Sequence, residues 1–368
     1  MGYGQFISSS YRAYAIDYDG DEYVDLFNSV DDKDDLKIVE NELSSKISNV
    51  SLVDVDKITG EKVKEATLHL KQNKSDPLFD FNSDCLKNAP FILFEHLAFI
   101  IKSFLIHGHV SIILLLATLV PLIKDKLGNM CASKNYRSIA ISSLILKIVD
   151  WLIILLFGTS LGLDDLQFSY QPNCSTNMCT WVIVETVNYF LKRGSEVFCC
   201  TMDMTKAFDL VKHSVLFRKL MEQGLPAIFI RLLLVMYALQ EANVRWNGSL
   251  SFKFALTNGV KQGAVLSAIL YCIYVNGLFQ RLRKNKTGCW INDNYVGIVG
   301  YADDNFLMSP TIGGLQEMLK ICENYALEHG LKFSTDPIAK KSKTKCWAYL
   351  KDKRELRKLV LCGNTLPW

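Results

Sequence analysis

The sequence predicts an α+β fold, and three observations carry that prediction. Apolar residues recur at helical spacing over long stretches, as where Leu266, Ile269, Leu270 and Ile273 fall at i, i+3, i+4 and i+7. Two hairpins of apolar, β-prone arms are marked by their turns, one at Asn247-Gly248 and one at Asp303-Asp304. The chain is 368 residues long, 49% hydrophobic and 21% charged, which supplies apolar surface for two or three folding units and excludes wholesale disorder.

Residues 1–56 are acidic and weakly periodic. Asp17, Asp19, Asp21 and Asp25 partly match a calcium loop. That pattern requires Gly at its sixth position and Glu at its twelfth, where Glu22 and Asn28 stand, so a flexible acidic linker is expected. Thr59 to Lys71 reads as an amphipathic helix, Lys74-Ser75-Asp76-Pro77 as a turn, and Phe91 to Ile106 as apolar helix. The apolar run Val110 to Ile123 leads into Lys124, Lys126, Lys134 and Arg137 on loop-like sequence, and a helical stretch begins at Ser142. Leu166 to Asn173 is extended or turning, and Thr176 to Arg193 is helical.

Val197 to Met202 reads as a buried strand. A helix is expected from Lys206, with Phe208, Val211, Val215 and Leu216 as its apolar positions and Gly224 as its stop. The glycine-flanked loop Gly259-Val260-Lys261-Gln262-Gly263 opens the Leu266 helix. The second hairpin joins Tyr295–Val299 to Phe306–Met308, followed by a helix (Leu315 to His329), a strand (Leu331 to Ser334) and the basic run Lys340 to Lys345.

Composition narrows the classes of function. Val110 to Ile123 is short and holds Pro121, and Leu144 to Leu163 carries Lys147 and Asp150. A spanning helix requires about 20 mainly apolar residues, so no membrane association is expected. The chain opens without a basic-then-apolar signal; the nucleus or cytoplasm is expected rather than secretion. Eleven cysteines without CxxC pairs argue against a disulfide framework and a structural zinc, and Cys199 and Cys200 read as small core residues. The net charge of +3 hides an asymmetry: residues 1–60 hold 13 acidic and 5 basic residues, whereas Gln280 to the end holds 9 and 15. A basic C-terminal portion fits a polyanionic partner.

Two acidic sites terminate apolar strands: Asp203 after the Val197 run, and Asp303-Asp304 at a hairpin tip. Carboxylates beside a core are costly unless solvated, paired or bound to a cation. Two such sites on strands able to lie side by side point to a divalent-metal centre with hard oxygen ligands. Adjacent strand residues face opposite ways, so one of Asp303 and Asp304 should face Asp203. Two metal ions would serve in-line phosphoryl transfer, with Lys124 and Arg137 as candidate cations for the substrate and Gln262-Gly263 as a turn open to close approach.

The motifs then become specific. Met202-Asp203-Met204-Thr205-Lys206-Ala207-Phe208-Asp209, Gly259-Val260-Lys261-Gln262-Gly263-Ala264-Val265-Leu266-Ser267 and Tyr301-Ala302-Asp303-Asp304 resemble, in order and spacing, the palm motifs of non-LTR retrotransposon reverse transcriptases. Pro121 to Asp125 and Asn135 to Ile139 resemble the fingers motifs, Lys343-Thr344-Lys345 the fourth palm motif, and Lys74 to Pro77 a turn of the same family. The resemblance runs from residue 57 to the C-terminus and is nearest to Jockey-like LINE elements. Ala268 and Asn305 depart from it without removing a catalytic group.

That resemblance implies a right-hand polymerase: an acidic N-terminal extension (1–56), a helical region with fingers (57–196), and a palm of antiparallel sheet backed by helices (197–368, with the hairpin 242–255 and a basic C-terminal segment). The thumb is expected to be absent or truncated, since Leu361 to Trp368 resembles only the approach to the primer grip. It implies RNA-directed DNA synthesis from dNTPs on an RNA template and a DNA primer, with two Mg²⁺ ions, or Mn²⁺, held by Asp203, Asp303 and Asp304. Phe208 would be the steric gate against a 2′-hydroxyl, and Gln262 and Gly263 would line the nucleotide and template pocket. Arg137 and Lys124 would hold the triphosphate, and Lys343, or its neighbour Lys345, would protonate the leaving pyrophosphate. The rival from another class is a catalytically inactive nucleic-acid-binding remnant; a telomerase-like or group II intron-like polymerase fits the Lys206-Ala207-Phe208-Asp209 form less well.

Overall fold

The computed structural model describes residues 33–47, 53–132, 135–335, 343–352 and 354–368. The aspartates between 17 and 25, Lys134 and the basic residues at 340–342 lie outside these. In chain order, helices α1 (Lys33–Ile47), α2 (Val53–Asp56), α3 (Gly60–Leu68), α4 (Ser83–Lys87), α5 (Phe91–His107) and α6 (Ile112–Leu115) lead into strands β1 (Leu116–Ile123) and β2 (Tyr136–Ile141). Helices α7 (Leu144–Phe157) and α8 (Thr176–Lys192) precede β3 (Val197–Asp203), and α9 (His213–Glu222) and α10 (Ala227–Ala238) precede β4 (Glu241–Trp246), β5 (Ser249–Leu250) and β6 (Phe254–Ala255). The long helix α11 (Val265–Lys284) is followed by two hairpins, β7 (Trp290–Ile291) with β8 (Asn294–Tyr295) and β9 (Ile298–Tyr301) with β10 (Asp304–Ser309). Helix α12 (Ile312–His329), strand β11 (Lys345–Tyr349) and the hairpin β12 (Val360–Leu361) with β13 (Asn364–Thr365) complete the series. This mixture of helices and mainly antiparallel strands is of the α+β class.

The chain forms two compact units, each drawing on two stretches: residues 1–162 with 212–270, and residues 163–211 with 271–368. In the first unit a sheet runs β2-β1-β4-β5, with β6 also on β4. Strand β1 is antiparallel to β2 and parallel to β4, so the pairing joins segments more than a hundred residues apart. Asn247 (φ 47°) and Gly248 (φ 83°) take the two left-handed positions that close a two-residue hairpin. Asp76 makes the expected turn at 74–77 into a helix cap. Its Oδ1 accepts from the N–H groups of Leu78 and Phe79, and its Oδ2 from Leu144 N (2.7 Å) at the start of α7.

Three expectations in this unit change. Residues 33–47 form α1, with Val39 and Leu43, one turn apart, buried; only these two apolar positions need face inward, which leaves the periodicity weak. The end of the Val110–Ile123 run is strand β1. Arg137 lies on β2 rather than a loop, exposed at an outward position opposite Leu122.

In the second unit an antiparallel sheet runs β11-β3-β10-β9. Val197 and Cys199 of β3 pack with Val299, Met308 and Val187 of α8, while Cys200 faces Cys346 and Cys322 of α12, so the sheet has a helix over each face. Both cysteines are buried, as their strand position implied. The helix expected from Lys206 begins only at His213, because Lys206 takes a left-handed φ of 50° and residues 205–210 form turns. The expected strand Leu331–Ser334 shrinks to a single bridge between Phe333 and Met204. The second hairpin turns one residue early: Tyr301 pairs with Asp304, leaving Ala302 and Asp303 at the tip, and Tyr295 belongs to β8. Helix α11 is long and apolar enough to cross a membrane by length and composition, with mean hydropathy 1.4, but 72% of that window is buried in the protein, as in a core helix.

Candidate active site

Asp203 ends β3 and Asp304 begins β10, and the two are direct partners in the antiparallel ladder. Direct partners project side chains from the same face with Cβ atoms about 4.5–5.5 Å apart, and like charges placed so are destabilising. Burial raises the Asp304 carboxyl above the ordinary carboxylate range, the negative charges of Asp303 and Asp203 push it the same way, and Lys343 opposes them. The residue facing Asp203 across the sheet is thus Asp304, and Asp303 sits beside it in the turn. Lys343 Nζ lies 3.5 Å from Asp203 Oδ2. Its side chain is 72% exposed, so the contact itself is worth at most about 1 kcal/mol. Lys345 lies in β11 opposite Thr201, two positions further down the strand.

Phe208 is half-buried in the turn after β3 and stacks on Tyr271 of α11, ring centroids 5.0 Å apart. Tyr271 is fully buried and donates its hydroxyl to Met204 Sδ, so the Phe208 ring rests on a fixed support. Gln167 and Ser169, which fall in the extended or turning stretch 166–173, both reach Ala302 at the tip of the aspartate hairpin. Nothing in their residue types distinguishes them from surface polar residues; only burial does.

The remaining candidates lie in the first unit. The Gln262 carbonyl accepts from Ala140 N (2.8 Å), which ties the 259–263 loop to β2, the strand that carries Arg137. Gly263 has φ +108°, and a Cβ there would sit 3.2 Å from Ile139 Cγ2 and 3.3 Å from Ala140 O. The close approach that requires glycine is therefore made by strand β2. Lys124 follows β1, its N–H donating to Asn135 O (2.8 Å). Lys261 turns inward from the same loop, buried 5.5 Å over the Tyr237 ring. The structure thus groups Arg137, Lys124, Gln262 and Gly263 in one unit, and Asp203, Asp303, Asp304, Phe208 and Lys343 in the other.

Among the described residues no three His, Cys, Asp or Glu side chains converge into a ready-made metal cage. The donor chemistry nonetheless suits a hard divalent cation: carboxylates on adjacent strand ends repel one another, and a cation would relieve that repulsion. Mg²⁺ is ordinarily held by one or two carboxylates together with substrate phosphates rather than by an all-protein cage.

Comparison with known proteins identifies the family. The family described as reverse transcriptase (RNA-dependent DNA polymerase) matches residues 123–350; a transglycosylase SLT domain family matches residues 1–34. The chain belongs to the reverse transcriptase family. It is 29% identical over 205 residues to the transposon TX1 149 kDa protein of Xenopus laevis, covering 55% of this chain and 16% of that protein. It is 25% identical over 206 residues to the Pol polyprotein of the type-2 retrotransposable element R2DM of Drosophila melanogaster, covering 55% and 19%. To the RNA-directed DNA polymerase from transposon X-element of the same fly it is 28% identical, over 40% of this chain and 16% of that protein. With such relatives, it is a reverse transcriptase domain of the non-LTR retrotransposon type. The chain spans less than a quarter of the length of these relatives. Among solved structures, telomerases of Candida albicans and Candida tropicalis align at TM-scores of 0.45 and 0.46 with 14% identity, over 68% and 69% of this chain and 44% and 54% of theirs.

Proposed function

We propose that this chain extends a DNA primer on an RNA template: the primer 3′-hydroxyl attacks the α-phosphate of a dNTP and pyrophosphate leaves. The observation that carries the reading is the direct pairing of Asp203 with Asp304 at one end of an antiparallel sheet, with Asp303 adjacent in the turn. These carboxylates would hold two Mg²⁺ ions, or Mn²⁺, whose Lewis acidity stabilises the attacking and leaving oxygens. Asp203 and Asp303 are proposed as ligands of both ions and Asp304 as the third carboxylate.

The rest is positioning and charge. Phe208, backed by Tyr271, forms a floor under the incoming sugar that leaves no room for a 2′-hydroxyl. Lys343, at Asp203, gives its proton to the leaving pyrophosphate; its place beside the carboxylate favours it over Lys345. Arg137 and Lys124 hold the triphosphate, and Gln262 and Gly263 line the nucleotide and template pocket. The basic C-terminal portion takes the nucleic-acid backbone. Residues 57–196 act as fingers with their helical support and 197–368 as palm, with the acidic stretch 1–56 in front. Primer extension on an RNA template, with and without Asp203→Asn, tests the assignment: extension by the parent chain and none by the variant is expected, and extension that survives the substitution overturns it.

A further inference from the structure

We propose that Gln167, assisted by Ser169, is the positioning residue that fixes the tip of the aspartate hairpin; this rests on the catalytic role given above to Asp303 and Asp304. The tip needs fixing. Ala302 has φ +57°, a left-handed conformation that a side chain disfavours and that persists where the surroundings impose it. A turn free to relax would carry Asp303 and Asp304 with it.

Gln167 is fully buried and grips both peptide groups of Ala302. Its Oε1 accepts from Ala302 N (2.9 Å) and its Nε2 donates to Ala302 O (3.3 Å). The first group belongs to the peptide joining Tyr301 to Ala302, the second to the peptide joining Ala302 to Asp303, so the planes on either side of the strained residue are both set. Ser169 Oγ accepts from the same N–H (2.9 Å) and donates to Gln167 Oε1 (2.8 Å), which fixes the orientation of the amide. A carboxamide alone among side chains of this length offers one acceptor and one donor in a single plane; methionine offers neither and glutamate lacks the donor.

The gripping segment is itself held. Gln167 bridges Gly300 in parallel register, with Phe168 N donating to Gly300 O and Gly300 N to Leu166 O, both at 2.8 Å. Gly300 must be glycine here, since a Cβ would sit 2.6 Å from Phe279 Cζ and 3.1 Å from Gln167 Nε2. Upstream, buried Asp164 accepts from Arg283 (2.8 Å), and its N–H donates to Asn276 Oδ1 (2.8 Å), both residues of α11. A continuous path of hydrogen bonds therefore runs from α11 through residues 164–169 to Ala302.

The test uses the full chain and reads hydrogen exchange at the Ala302 amide alongside primer extension. In Gln167→Met the Ala302 amide should exchange about 10-fold faster or more, as expected when a buried amide loses a partner, while amides of β3 and β11 keep their protection. Extension should slow with the KM for dNTP unchanged. Ser169→Ala, which leaves the backbone and Gln167 in place, should give a smaller acceleration at the same amide and decides the matter if Gln167→Met does not fold. Unchanged exchange at Ala302 in the folded variants overturns the proposal, as does faster exchange with undiminished extension. If the parent chain extends no primer, it is the polymerase reading that fails, and the exchange data still judge the clamp.

Discussion

Two charge clusters, one in each compact unit, use the same residue types to opposite ends. In the second unit Asp203 and Asp304 meet as partners at strand ends, with Asp303 beside them in the turn and the exposed Lys343 3.5 Å from Asp203. In the first unit Asp150 of α7 and Lys261 of the 259–263 loop bring opposite charges together inside the core. Burial pushes the Asp150 carboxyl up to about 7, with Lys261 and Lys147 pulling it back. Burial likewise lowers the Lys261 ammonium to about 8, with Asp150 opposing. Like charges held at an accessible end of the sheet weaken it and suit an external cation; opposite charges held inside draw the 259–263 loop toward α7.

Substitution separates the two. Asp203→Asn removes a carboxylate from a repelling set, so primer extension should fall on the order of 10³-fold or more while resistance to urea stays level or rises. A parallel loss of stability would place Asp203 among structural groups instead. Lys261→Met should act on stability instead: Asp150, left without its counter-charge, should hold its proton to higher pH, lowering the urea midpoint above pH 7 by on the order of 1 kcal/mol. Combining it with Asp150→Leu should recover most of that loss, because a buried pair replaced by apolar groups is close to neutral. A double variant no better than the single would show that the two charges do not act on each other.

The difference also explains what the sequence disclosed. The carboxylates were legible because an aspartate at the end of an apolar strand breaks a pattern, and the breaks fell at family spacing. The Asn247-Gly248 hairpin was legible because its φ angles restrict the residue types. The parallel pairing of β1 with β4 was not, since it depends on contact between residues 116–119 and 241–244 and leaves no local mark. The late start of α9 was hidden because Phe208 and Val211 have helical spacing while Lys206 has a left-handed backbone. Gln167, Asp150 and Lys261 carry no such mark for a common reason: polar residues are ordinarily solvated, and only burial and a partner set these three apart.

Phe208 sharpens the comparison from the side of the site. Its ring is half-buried and stacks on Tyr271, so one part packs as a core residue does and another stays open to solvent. Phe208→Ala should raise ribonucleotide incorporation relative to deoxyribonucleotide by about 10- to 200-fold, the range a lost pocket wall gives. Unchanged sugar discrimination with lowered stability would assign the ring to the core alone.

The smallest expected effect is in the pH dependence, and it distinguishes the clusters by what a cation can reach. The folded chain keeps the Asp150 proton up to about 7, whereas the unfolded chain releases it near the ordinary 3.8. The folded state then binds more protons across that window, so stability falls as pH rises through it, by about 1 kcal/mol between pH 6 and 7. Lys261 acts in the opposite sense at higher pH: between about 8 and 10.5 the unfolded chain holds the proton the folded chain has lost, and stability rises with pH. Asp304 is raised by burial and by its two neighbours, and its share acts in the same direction above the ordinary carboxylate range. Millimolar Mg²⁺ should leave the Asp150 limb untouched, because that carboxyl lies in the core. Urea midpoints should therefore fall between pH 6 and 7 to the same extent with and without Mg²⁺ in the parent, and Asp150→Asn should abolish the fall. A limb that Mg²⁺ removes entirely from the parent would mean that the buried pair contributes nothing to it.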